Sequence, residues 1–497
     1  MPYKGKEGGL QVCACIQLSR DTGSFGSLQE LPSFLRRFGS QDEEGEYELP
    51  TQRKSLMNSI PWIGKLVGCF LAEPLIERTG YRKAIIVTSV VQVIALIIEM
   101  TAKSWQQFTV GRNFEYLAVG LHTAQIAPSA VRGLLAGSIT FVVALGNLWG
   151  SGVSRAYVDK IPTRGWLIPC AMQLIPAVNI LSLVAFIPES PRWMLLKDKR
   201  DLALRNLEKL RSKDEVDNGY VAAEFEAIAE AIQAGYAQGD DSDSWWKIFS
   251  DPTNHGRRAW IVALLFIFQQ TNGNQHSGYG SASFTYATVG QAMTIVGSLI
   301  WIFVMAYTGR RPLMIEGGLM CGVLLSIGAA PGSQDPPNQA EKSTVIANFP
   351  LLGTFTKISA SNNAFLIGAE IGGVKMRKKI MAFGTANDVL AALLVTFAPP
   401  YLLASPSPDL GPKVGWIFAA AGYISGLYGF FFTPELKGRS LEEVDQMFEA
   451  RLHAWDFKDF QTTGAGRRLV ELERHDRTAL EEGVSSIEHV ERDKGQP

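Results

Sequence analysis

The sequence has few cysteines, no excess of either charge and no clear secretion signal. Its 497 residues include five cysteines, 47 basic and 48 acidic side chains. Scattered cysteines in odd number do not support a disulfide framework, and balanced charge gives no indication of nucleic-acid binding. Cys13 and Cys15 have metal-like spacing, but no histidine or cysteine cluster lies near them. Residues 9–18 are too short and polar for a signal peptide. We expect no metal, no cofactor and no nucleic-acid partner.

Long apolar segments are what the chain has in abundance. About 20 mostly apolar residues cross the hydrocarbon layer of a membrane. Seven segments approach or reach that length: 84–100, 134–153, 166–187, 289–307, 312–330, 380–403 and 414–432. Less uniform candidates lie at 57–75, 108–127, 259–286 and 345–371. Soluble cores do not contain so many in series, so the pattern predicts an all-α membrane protein that spans a lipid bilayer several times.

Similar motifs follow two of these segments. Pro-Glu-Ser-Pro-Arg-Trp occupies 188–193, and Pro-Glu-Leu-Lys-Gly-Arg occupies 434–439, after the last apolar segment. Proline ends helices, and charges belong at the membrane interface rather than in hydrocarbon. The repetition indicates a membrane transporter made of two homologous halves.

The two motifs divide the chain into five parts. We expect an atypical N-terminus and external loop whose first helix is truncated or absent (1–56), followed by a first helix bundle (57–187). A polar loop with amphipathic helices (188–257) then leads to a second bundle (258–432) and a tail (433–497). Basic residues occur on every second loop, which predicts that the face with the motifs is cytoplasmic. The polar loop and the tail are then cytoplasmic as well.

The chain resembles the sugar-porter branch of the major facilitator superfamily, most closely fungal hexose and α-glucoside permeases. Besides the two motifs, the likeness rests on the sequences at 111–112, 126–133, 269–275 and 309–311, and it extends from about residue 21 to residue 448. The resemblance implies a twelve-helix bundle of two six-helix halves that works by alternating access. It also implies a monomer in the plasma membrane that is not an enzyme.

Three glutamines are candidates for binding a sugar. Gln269 and Gln270 are adjacent, and Gln275 follows about one and a half helical turns later. Each amide can both donate to and accept from hydroxyls. The alternative is that these amides join helices to one another. The resemblance adds three further substrate contacts: Asn272, Phe365 and Asn387.

Other pocket positions depart from the family pattern. Asp388 stands where the family has tryptophan, Ala391 replaces an asparagine, and Thr140 replaces an amide. These changes argue against a plain glucose carrier. We expect uptake of a sugar, with an α-glucoside ahead of a monosaccharide.

The resemblance also implies a proton switch between Asp21 and Arg112. An ionised Asp21 would hold the arginine and a protonated one would release it, which gives a symport mechanism. Alternatively, Asp21 is a solvent-exposed turn residue.

Charged residues at the predicted cytoplasmic helix ends could form salt bridges that break as the two halves move. Alternatively, the positive charges only mark the topology. The candidates are Glu77, Arg78, Arg132, Glu189, Arg192, Arg310, Arg311, Glu370, Arg377, Glu435 and Arg439.

Three family segments are missing or short here. No apolar helix precedes Asp21, and the stretches between Gly120 and Gln125 and after Gly280 are shortened. All three line the substrate pathway in the family. Other interpretations therefore stay open: a carrier for another polyhydroxylated compound such as quinate or a secondary metabolite, a non-transporting sensor, or a non-functional paralogue.

Overall fold

The computed structural model of the chain is a bundle of long helices. It describes residues 25–41, 45–126, 134–160, 164–184, 188–210, 255–271, 283–330, 339–373, 377–403, 413–439 and 441–460, with a few residues between 216 and 229. Seven described helices are long and apolar enough to cross a membrane. Large apolar side chains such as Phe70, Ile94, Phe303 and Leu427 are exposed on the helix surfaces. An apolar outer surface on long helices is what contact with lipid requires.

A short N-terminal unit covers one end of the first half. Helix α1 (Pro32–Phe38) leads into a hairpin of β1 (Ser40–Gln41) and β2 (Tyr47–Glu48), in which Ser40 pairs with Glu48. Aromatic rings of α1 and Phe25, which precedes it, pack with rings of later helices in one buried cluster: Phe25, Phe34, Phe38, Phe108 and Trp166. This cluster attaches the unit to the bundle.

The first half consists of α2 (Thr51–Thr79), α3 (Tyr81–Met100), α4 (Trp105–Ile126), α5 (Leu134–Ala156), α6 (Arg164–Ala171) and α7 (Leu174–Val184). Helix α2 begins at Thr51, directly after Pro50, and not at residue 57 as the apolar segment suggested. The first turns of α2 are polar, so hydropathy alone does not predict that they are helical.

Helices α2 and α4 pack at very short distance through two glycines. A Cβ on Gly68 would lie 2.2 Å from the Leu117 carbonyl oxygen, and one on Gly120 would lie 2.2 Å from that of Lys65. Small residues allow membrane helices to approach this closely.

A polar connection follows, with α8 (Pro191–Leu196) and α9 (Arg200–Leu210). Ala203 and Leu207 of α9 are buried against Val221 and Phe225. Helix α9 covers the stretch 202–207 for which the sequence predicts an amphipathic helix.

The second half consists of α10 (His255–Thr271), α11 (Ser283–Tyr307), α12 (Arg310–Ala329), α13 (Gln339–Thr356), α14 (Asn362–Ile371), α15 (Arg377–Leu403) and α16 (Val414–Phe432). A π-helical turn, Lys357–Ser361, joins α13 to α14.

The first part of the predicted tail packs onto the second half. Helix α17 (Leu441–Glu449) places Phe448, together with Phe457, in the buried core around α10. Arg258 of α10 forms an ion pair with Asp445 of α17. Residues 441–460 are therefore a structural part of the second half.

Candidate functional site

A charged contact joins the two halves in the middle of the bundle. The Lys65 ammonium of α2 lies 3.8 Å from the Asp388 carboxylate of α15. Gln270 of α10 donates its amide to the other oxygen of Asp388 at 2.6 Å. The Asp388 side chain is only 4% exposed, and that of Lys65 is 15% exposed. Charged groups inside a membrane bundle are costly, which marks this place as a functional candidate.

A second cation lies beside this contact. Lys357, on the π-helical turn, donates from its ammonium to Ser361 Oγ at 3.2 Å. Gln269 also approaches Ser361 Oγ, at 3.5 Å from its amide nitrogen. Lys357 and Asp388 are close enough to interact electrostatically. We call Lys65, Gln269, Gln270, Lys357, Ser361 and Asp388 the central cluster.

The halves pack around the central cluster with apolar surfaces. Trp62 and Tyr116 of the first half form one buried group with Val389 and Ala392 of α15. The Lys65 ammonium also lies 4.9 Å from the centre of the Trp62 ring, a cation–π contact. Few water molecules can reach such a site, so its electrostatic interactions are strong.

The predicted substrate residues divide into three groups. Gln269 and Gln270 belong to the central cluster. Asn272 and Gln275 lie outside the described residues. Phe365 packs edge-to-face against Phe266 in an apolar core, and Asn387 donates its amide to the Phe383 carbonyl of its own helix at 2.8 Å. Among the described candidates, only the two adjacent glutamines therefore contact polar groups of other helices.

Arg112, the predicted proton-switch residue, is buried near α1. It donates to the Met57 carbonyl at 2.6 Å, and its guanidinium lies 3.6 Å from the centre of the Phe25 ring. It also approaches Tyr116 Oη at 3.4 Å. Its predicted partner Asp21 lies outside the described residues, so the switch stays a prediction.

The glutamates of the two repeated motifs occupy matching places. Glu189 accepts from the Arg82 backbone N–H at the start of α3, at 3.2 Å. Glu435 accepts from the N–H groups of Arg310 and Arg311 at the start of α12, at 3.0 and 3.2 Å. We call the end of the bundle where these glutamates lie the motif end. A carboxylate there satisfies free backbone donors and complements the helix dipole.

A glycine makes room for each glutamate. Gly80 and Gly309 precede α3 and α12, with φ of 87° and 114°. A Cβ at Gly80 would lie 2.7 Å from a Glu189 carboxylate oxygen, and one at Gly309 would lie 2.6 Å from one of Glu435. The same glycine–glutamate arrangement in both halves is structural support for their homology.

The other predicted salt-bridge residues have varied surroundings. Arg310 forms a two-point ion pair with Glu370, at 2.8 and 3.1 Å. Arg439 reaches Glu443 at 3.4 Å and donates to three carbonyls of the tail. Glu77 and Arg78 are exposed, and neither forms an ion pair with a described residue. Arg132 and the side chains of Arg192 and Arg377 lie outside the described residues.

The sequence reasoning did not assign a function to Lys65, Lys357 or Asp388. A signal was available, because charged residues inside predicted membrane segments are rare and usually functional. In the sequence, Lys65 is only a charge within a less uniform apolar segment, and Asp388 is only a departure from the tryptophan of the family pattern. What could not be read from the sequence is that they meet across the two halves.

A comparison with family models matches residues 11–448 to the family of sugar (and other) transporters. Curated relatives include the high-affinity glucose transporter ght2 of Schizosaccharomyces pombe, 25% identical over 95% of this chain and 92% of the relative. The low-affinity glucose transporter HXT4 of Saccharomyces cerevisiae is 26% identical over 88% of this chain and 79% of the relative.

Solved structures show the same fold. The proton:xylose symporter XylE bound to 6-bromo-6-deoxy-D-glucose has a TM-score of 0.69 at 20% identity, covering 90% of this chain and 99% of XylE. A partially occluded inward-open form of XylE from E. coli has a TM-score of 0.70, covering 88% of this chain and 100% of XylE.

Proposed function

Because the chain belongs to the family of sugar (and other) transporters, we propose that it takes up a hexose or an α-glucoside together with protons. It works by alternating access and performs no covalent chemistry, as a monomer in the plasma membrane. The observation that supports this most directly is the position of Gln269 and Gln270. Both amides lie in the centre of the bundle, beside the contact between the halves, where transporters of this architecture bind their substrates.

The proposed proton coupling draws on the likeness to XylE, a proton:xylose symporter. Asp21 and Arg112 are the proposed pair. Arg112 is fully buried and lies against Met57 and Phe25 at the end of the bundle away from the motif end. A carboxylate that reaches it would exchange a proton in a setting with little water.

The motif-end charges are proposed to control opening of that end. Glu189 and Glu435 fix the starts of α3 and α12, and the Arg310–Glu370 pair links α12 to α14. Rigid helix ends let each half move as a unit during alternating access.

Uptake of radiolabelled glucose and maltose tests the proposal. The full chain is expressed in a yeast strain that lacks its own sugar carriers, with the empty vector as control. We expect saturable accumulation that a protonophore abolishes. Uptake unaffected by the protonophore would remove the proton coupling, and absence of uptake at normal surface expression would remove the transport function for these sugars.

The variant Asp21→Asn tests the coupling residue. We expect it to lose uphill accumulation and to keep exchange of labelled for unlabelled sugar, since exchange needs no net proton movement. Full accumulation by this variant would show that the proton binds elsewhere.

A further inference from the structure

The central cluster contains more positive than negative charge. Lys65 and Lys357 each contribute an ammonium, and Asp388 contributes the single carboxylate that faces them among the described residues. The Cys69 thiol and the Tyr116 phenol of the first half also lie near Asp388. Neither supplies a negative charge at neutral pH. With both lysines protonated, the cluster has a net charge of +1.

Each oxygen of Asp388 already has a partner. One carboxylate oxygen accepts from Gln270 and the other faces Lys65. The Lys357 ammonium has three donor positions, and Ser361 Oγ accepts from one of them. No described carboxylate lies within ion-pair distance of Lys357. The charge in excess therefore belongs to Lys357.

A buried hydrogen-bond acceptor lies close to Lys357. The side-chain oxygen of Gln269 is buried and has no hydrogen-bond partner among the described residues. Its amide nitrogen shares Ser361 with Lys357. A half-buried cation without a described carboxylate partner and a buried carbonyl oxygen without a described donor each raise the free energy of the empty site. One ligand that brings both an anionic group and a hydroxyl would satisfy them together.

We propose that the preferred substrate of this site is a sugar acid, a hexuronate or an aldonate, whose carboxylate binds the Lys357 ammonium while a hydroxyl donates to Gln269. This inference rests on the proposed function and extends its substrate class from neutral sugars to sugar acids. A neutral hexose offers hydroxyls to Gln269 and Gln270 but leaves the charge of Lys357 uncompensated. The carboxylate of a sugar acid makes the occupied cluster neutral, and charge-assisted hydrogen bonds are the stronger ones.

Competition and direct uptake test the substrate class. Labelled glucuronate, gluconate and glucose are offered to the same yeast strain expressing the full chain. We expect uptake of at least one of the two acids. Unlabelled acid should also inhibit uptake of labelled glucose at a lower concentration than unlabelled glucose does. Uptake of glucose with no uptake or inhibition by either acid would overturn the inference and leave the proposed function standing. Transport of none of the three would overturn the inference, and absence of maltose uptake as well would overturn the proposed function.

Three lysine variants test the residue. Lys357→Met should lower kcat/KM for the acid by about 10- to 100-fold, the range for a hydrogen bond to a charged group. Lys357→Arg retains the charge and should keep a larger share of acid uptake. Lys413→Met removes an exposed lysine at the start of α16 and should leave uptake unchanged. Surface expression of each variant is measured in parallel.

The ratio of acid to glucose uptake separates a binding role from a structural one. A variant that folds poorly loses both activities in proportion, whereas loss of the Lys357 charge should shift the ratio toward glucose. As a second measurement, gluconate should raise the thermal midpoint of the purified wild-type protein and not that of Lys357→Met. An unchanged ratio, or an equal gluconate effect on both proteins, would overturn the inference.

Discussion

The partners of Asp388 come from different halves of the molecule. Gln270 lies on α10, 118 positions earlier in the same half, and Lys65 lies on α2 in the other half. A single carboxylate thereby connects a proposed sugar-binding amide to the contact between the halves. Any change at Gln270 that accompanies substrate binding acts directly on the contact with Lys65.

Substitution of Gln269 should affect substrate affinity more than substitution of Asn387. Gln269→Ala removes an amide whose oxygen has no hydrogen-bond partner among the described residues. We therefore expect KM for the transported sugar to rise by about 2- to 10-fold, the value of one neutral hydrogen bond. Asn387→Ala removes an amide that already donates to its own helix. It should change KM less, and initial uptake rates over a range of sugar concentrations measure the difference. Equal effects of the two variants would contradict this assignment.

The residue types of the site could be predicted, but not their contacts. The sequence at 269–275 was sufficient to predict Gln269 and Gln270 as sugar-binding candidates. Whether an amide is engaged depends on Ser361 and Asp388, which lie 92 and 118 positions away. Neighbouring residues on a helix point about 100° apart, so spacing alone could not tell which partner each glutamine meets.

At the scale of the helix, the repeated glutamates act as N-terminal caps. Glu435 accepts from three backbone N–H groups, those of Arg310, Arg311 and Lys437, at 2.9 to 3.2 Å. Glu189 accepts from Arg82 and from Ser190. The prolines before them, Pro188 and Pro434, keep these segments non-helical. The two motifs therefore have a structural function in addition to their proposed role in opening the motif end.

Removing one cap should destabilise the protein. Glu435→Ala leaves backbone donors of α12 unsatisfied and removes a favourable charge from its N-terminus, a loss of about 1–2 kcal/mol. The thermal midpoint of the purified variant should fall below that of wild type. Glu449→Ala, at an exposed position at the end of α17, serves as the control. If the two variants melt alike, the capping interpretation is wrong.

Helix positions were predicted well where hydropathy changes sharply. The segment 414–432 coincides with α16, and 380–403 ends with α15 at Leu403. The segment 166–187 was expected to be one helix, but the structure has α6 and α7 with a turn at Met172 and Gln173. Pro176 explains the turn, because its ring has no N–H and collides with the carbonyl four residues earlier. The length of an apolar segment does not show where a proline interrupts the helix.

At the scale of the whole molecule, two polar contacts between described residues join the halves away from the motif end. One is the Lys65–Asp388 pair in the middle of the bundle. The other is the hydrogen bond that Ser55, near the start of α2, donates to the Phe397 carbonyl of α15. Helices α2 and α15 therefore lie together along the part of the bundle opposite the motif end. Transport by alternating access requires this contact to open once in each cycle.

Linking α2 to α15 at this place should stop transport. In the double variant Ser55→Cys with Phe397→Cys, a short bifunctional thiol reagent joins the two halves where they are in contact. We expect sugar uptake to fall to background after treatment, because the halves can no longer separate at this end. Each single variant treated in the same way controls for reaction at the native cysteines and should keep its uptake. A cleavable form of the reagent should restore uptake in the double variant after reduction. If the cross-linked double variant transported sugar at the rate of the single variants, α2 and α15 could not be the contact that opens.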